Sequence, residues 1–135
     1  MAAVAMVGCM PIPVDKQFAT VQTSSDGATE GTMIVSLVEM HDRECSAMLQ
    51  FGQDNYDRGF ILVGVGQEAL SGDAALVYSV GIETPWHERD PIHSRLQADV
   101  LFYPAAVVYE LGVAGSIDES ERITVRVRGG LGLVF

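Results

Sequence analysis

The sequence predicts an all-β domain: an antiparallel two-sheet sandwich, with an eight-stranded jelly roll favoured and an immunoglobulin-like sandwich as the alternative. Three observations predict it. Short apolar, β-branched runs recur along the chain with turn residues between them. They are spaced at roughly 8–12 residues, the interval typical of sandwiches and barrels. No stretch carries the period of an amphipathic helix.

The first strand is expected over 17–23, closed by the hairpin-type turn Ser24-Ser25-Asp26-Gly27. The β-branched run 32–40 is the second, and the polar break 41–45 leads into a third over 46–51. The Asn/Asp-rich segment 52–59 reads as a loop. Residues 60–65 are apolar throughout and read as a central strand. One helical turn is expected over 67–73, before a fifth strand over 74–82. In the sixth, over 95–103, Leu96, Ala98, Val100 and Phe102 share one face and Gln97 and Asp99 the other. The seventh follows Pro104 over 106–113. In the eighth, Ile123, Val125 and Val127 alternate with Thr124, Arg126 and Arg128; Gly129-Gly130 is expected to interrupt it before 131–135.

Three of these strands, 33–38, 60–65 and 74–82, look apolar on both faces. In a two-layer sandwich only one face of each sheet meets the core. Mean hydropathy is +0.23 although the net charge is −10. Both facts call for something to cover the second face. Acids outnumber bases eight to three up to Arg58 and ten to five after it, so acidity is spread evenly. Such a surface repels phosphate backbones and anionic lipid. No apolar run approaches the ~20 residues of a membrane helix.

The chain opens MAAVAMVGCMPIP. Met6-Val7-Gly8-Cys9 has the outline of a bacterial lipoprotein box. The run before Cys9 is short, however, and has no basic residue, which argues against a signal. Pro11 and Pro13 favour extended backbone. Residues 1–15 are therefore expected to form an extended apolar arm, and 16–135 a single β-sandwich domain. Cys9 and Cys45 have no zinc-like or redox spacing and read as reduced packing residues.

Little points to chemistry. His87, Glu88, Asp90 and His93 are metal-capable types, but the histidines are six apart with Pro91 between, so no helical ligand pair can form. His41 and Cys45 stand four apart on an irregular stretch, which does not by itself bring base and thiol within hydrogen-bond reach. The glycine pairs precede no helix and are not phosphate cradles. Trp86 is amphipathic and suits an interface. Arg122, Arg126 and Arg128 form a stripe suited to an acidic neighbour.

The expected function is structural: an assembly protein acting through protein–protein contacts, such as a viral or phage capsid-surface subunit. Its expected interface is Val4, Met6, Val7, Met10, Ile12, Trp86, Arg122, Arg126 and Arg128. Expected partners are further copies of the chain or a larger protein shell, with neither nucleic acid nor membrane. The expected location is the virion or the cytoplasm. No catalytic residue, metal or cofactor is called for. The alternatives are a ligand- or carbohydrate-binding module using Trp86, His87 and His93, and a cupin-like metal enzyme.

Overall fold

A computed structural model of the chain describes residues 10–55, 58–69, 73–85, 92–117 and 121–135. It contains eight strands: β1 Gln17–Ser24, β2 Thr29–Met40, β3 Cys45–Asp54, β4 Arg58–Ala69, β5 Ala74–Pro85, β6 His93–Phe102, β7 Val107–Ile117 and β8 Ile123–Val134. Each pairs antiparallel with the next, and β8 returns to β1 to close a barrel. The closing register sets Phe18 beside both Ile34 of β2 and Val134 of β8.

This corrects the sandwich. A jelly roll or an immunoglobulin-like fold has two sheets with open edges, and some connections skip strands. Here sequence neighbours are spatial neighbours throughout, and the β1–β8 ladder removes the edges. Alternation gives each strand two faces, which suits a sandwich and a barrel equally. The deciding contact joins the two ends of the chain and leaves no local signal. The capsid-subunit reading leaned on the jelly roll and loses that basis.

The strands lie where expected but run longer. Gln67–Ala69 continue β4 instead of turning helical, and β8 passes through Gly129-Gly130 without a break. The first hairpin turns as read, with Gly27 at φ 88° and its amide donating to the Ser24 carbonyl. In β2 an extra residue, Leu37, makes a bulge where the register against β3 shifts between Ser36 and Val38.

An eight-stranded barrel leaves an interior just wide enough for side chains to fill. Several inward positions are glycine because the neighbouring backbone comes too close. A Cβ on Gly130 or Gly132 would collide with the carbonyl oxygen of Val21 or Ala19. These glycines let β8 bend across β1 and close the ring.

The lumen is divided along its length. Towards the end where β1 begins and β8 ends, the terminus end, it is apolar, with Phe18, Ile34, Met48, Val77, Leu101 and Val108 in one cluster. Residues 10–15 fold back over this mouth. Ile12 is fully buried in the cluster, and its carbonyl accepts hydrogen bonds from the Ser36 and Ser46 hydroxyls, both at 2.7 Å. Met10 forms a backbone bridge with Glu68.

Replacing Gly132 by Ala should cost about 1–3 kcal/mol through overpacking. The same change at Gly31, where a Cβ would meet nothing within 4 Å, should be tolerated. Denaturant midpoints of the two variants check this, and equal midpoints would count against the close-approach account.

Candidate functional site: an ion-paired lumen inside an uncharged wall

The inward residues of the half-barrel opposite the termini are charged. Arg95 on β6 and Arg128 on β8 are each only 1 % exposed, and both reach Glu30 on β2. Arg95 also bonds Glu83 on β5 at 3.2 Å, and Arg126 on β8 approaches the same carboxylate at 2.7 Å. Arg128 continues to Asp99 at 3.3 Å. The Arg95 guanidinium lies 4.0 Å from the Phe60 ring centroid and donates to Gln97 Oε1 through Nε and Nη2. Asp54 and Arg58 close the rim at 2.7 Å. Burial of each charge is costly, and the shared carboxylates and planar guanidinium forks offset that cost.

Deeper in the lumen, Glu110 on β7 accepts from the Thr20 hydroxyl at 3.1 Å and from the Gln22 amide. Its partners in these bonds are neutral. Below it the apolar cluster interrupts the polar network. At the terminus mouth a separate trio forms, in which Glu68 accepts from Lys16 Nζ and from the Tyr103 hydroxyl, both at 2.6 Å. Burial, then the bond to Glu68 and that carboxylate's charge, pushes the Tyr103 phenol well above its ordinary value.

The outer wall is the converse. Outward positions in all eight strands carry no Asp, Glu, Lys, Arg or His. They hold large apolar residues left open to the surroundings, such as Val21, Ile61, Val80, Leu96, Leu111 and Ile123. A soluble monomer rarely exposes an apolar patch beyond a few hundred Å². Here the exposure runs around the barrel.

The residues singled out from sequence are distributed as follows. Arg126 and Arg128 do lie on one face opposite Val125 and Val127. That face is the lumen, where both are consumed in internal ion pairs. Arg122 precedes β8 and is exposed. Ile12 is buried in its own barrel and Met10 sits at the mouth. Val4, Met6, Val7, Cys9, Trp86, His87, Glu88 and Asp90 lie outside the described residues. His93 begins β6. His41 Nε2 faces Glu39 at 3.3 Å, so its partner is a carboxylate rather than the thiol of Cys45. Among the described residues no group of three His, Cys, Asp or Glu is placed to hold a metal. Sequence reasoning missed Glu30, Glu83, Arg95 and Asp99. The available signal was that inward charges share one parity in each strand while the other parity is uncharged.

No family model matches the chain, and no curated protein matches it. A solved structure described as "De novo design of transmembrane beta-barrels" is similar at 14 % sequence identity and a TM-score of 0.58. The match covers 89 % of this chain and 93 % of that one. At that identity the likeness speaks for the fold.

Two outcomes test the lumen. Arg95→Ala strips a shared partner from Glu30 and Glu83 and should cost about 3–5 kcal/mol. Glu110→Gln keeps the shape of a group held by neutral donors and should change stability by less than about 1 kcal/mol. Denaturant titration of the folded protein measures both, and similar losses would refute the assignment. At the rim, burial alone would raise the Asp26 carboxyl. Bonds from the Ser24 hydroxyl and the Ala28 amide, with Arg126 and Arg58 nearby, outweigh burial and hold it at about 2. A carboxyl depressed on folding stabilises above its unfolded value of about 3.9. That contribution is lost as pH falls through about 2. The stability gap between wild type and Asp26→Asn should therefore be constant above about pH 5 and shrink steadily towards pH 2.

Proposed function

We propose that the chain is a small membrane-spanning β-barrel whose lumen is sealed, so that it serves as a membrane-embedded anchor or scaffold rather than an open pore. The observation that carries this is the inverted polarity: arginines and carboxylates inside, an uncharged apolar wall outside. In lipid every backbone group needs an internal partner, and a closed barrel supplies one. Strands of 8 to 12 residues suit the ~9–11 needed to cross a bilayer at a tilt. Phe102 and Tyr109, directly paired and exposed near the terminus end, with Phe135 beyond β8, have the character of interfacial aromatic anchors.

The sealing follows from the filled lumen. Ion pairs occupy one half and an apolar cluster capped by Ile12 the other. The reading departs from the expectation of no membrane contact. That expectation rested on an evenly acidic composition and on the lack of a helix-length apolar run. Many of the strands' acids, Glu30, Glu68, Glu83, Asp99 and Glu110, are buried in the lumen, and an alternating strand never makes such a run. No helix among the described residues is long and apolar enough to cross a membrane, and that fact does not bear on strands.

The test is folding by dilution from denaturant into detergent micelles and, separately, into detergent-free buffer. The expected outcome is β circular dichroism and heat-modifiable gel mobility in micelles, aggregation in buffer, and no steady conductance in planar bilayers. A folded, monodisperse monomer in detergent-free buffer would overturn the reading.

A further inference from the structure

The outer wall is not smooth. On β2 to β5, near the end opposite the termini, a groove of about 610 Å³ is recessed into it. Two ladder rows form it. The upper row runs Gly31, Gln53, Gly59, Thr84 and the lower row Met33, Phe51, Ile61, Ile82.

Glycine in the middle of a strand sacrifices packing and backbone order. At Gly31 no neighbour forces it, since a Cβ there would meet nothing within 4 Å. Beside Gly31 the recess is therefore open space, not room taken by the protein's own backbone. Its walls are uncharged. The lower row continues the apolar band, and the upper row carries the Thr84 hydroxyl and one exposed amide, Gln53, close to the polar rim at Asp54 and Arg58. An apolar trough with an amide at its shallow end matches an amphiphile with an alkyl chain and a neutral hydrogen-bond acceptor at its head. In a bilayer the ester carbonyls of phospholipid lie where the apolar core meets the headgroups, as Gln53 lies where the apolar wall meets the charged rim.

We infer that this groove seats one acyl chain of a membrane phospholipid, with its ester carbonyl accepting from the Gln53 amide. The inference rests on the membrane-spanning reading. The absence of charge in the lining implies indifference to the headgroup.

The test is native mass spectrometry of the folded barrel ejected from micelles doped with phosphatidylcholine or phosphatidylglycerol. Wild type should retain one phospholipid of either kind. Gly31→Leu, which fills the trough, should lower retention at least tenfold, and Gln53→Leu several-fold. Gly129→Leu, at an outward glycine on β8 away from the groove, should retain lipid as wild type does. Circular dichroism of each variant in micelles reports its fold. Equal retention by folded Gly31→Leu and wild type would overturn the groove while leaving the membrane reading intact. Lipid-free dimers abolished by Gly31→Leu would overturn it in favour of self-association. Failure of wild type to fold in micelles would remove both.

Discussion

The shared carboxylate of Glu30, held between Arg95 and Arg128, is the interaction on which the rest of this structure depends. A barrel of eight strands leaves an interior just wide enough for side chains, and its outward positions carry no charge. The arginines must be neutralised inside, across strands that are distant in sequence. Glu30 on β2 ties β6 and β8 together; Glu83 on β5 adds a second tie to both. Breaking one partner leaves an uncompensated charge in a confined interior, so the network specifies the closed ring as well as stabilising it. The polarity of the wall is the other side of the same constraint. Once the charges are committed to the lumen, the outward positions are free to be uniformly apolar.

The two halves of the lumen are built by different means. The half away from the termini is joined by ion pairs and amides. The other packs aromatic and aliphatic side chains, with Phe18 and Tyr103 rings 4.9 Å apart. The chain's own residues 10–15 close that mouth, anchored by Ser36, Ser46 and Glu68. The closure accounts for the strands that look apolar on both faces. Leu62 and Val77 fill the lumen while Val63, Tyr78 and Val80 face out. The surplus of apolar surface read from the sequence is therefore real. The inward share is covered by the barrel itself, and the outward share is the wall assigned to lipid.

The sequence made the local order legible and the global order not. All eight strands fall where β-branched runs and turn residues put them, and the β6 and β8 alternation was correct residue by residue. Which face is inside could not be read, because alternation is symmetric until the solvent is known. Arg126 and Arg128 show the consequence. Treated as an outer stripe, they suggest a docking surface; placed in the lumen, they are internal struts. Gly130 and Gly132 show another limit. Read alone, Gly130 with Gly129 interrupts the strand, but opposite the β1 backbone Gly130 and Gly132 are what allows closure. The Glu30–Arg128 and Glu83–Arg126 pairs join residues far apart in the chain, and no local spacing announces them.

The central claim, that one face of every strand meets lipid and the other an ion-paired lumen, is tested most directly by a spin-label accessibility scan along β6. In a background lacking Cys9 and Cys45, single cysteines at positions 96 to 102 would be labelled in barrels reconstituted into vesicles. The account predicts a period of two. Labels at 96, 98, 100 and 102 should be accessible to oxygen dissolved in the bilayer and shielded from a water-soluble relaxant, and labels at 97, 99 and 101 shielded from both. Outward labels that respond to the water-soluble relaxant would contradict it.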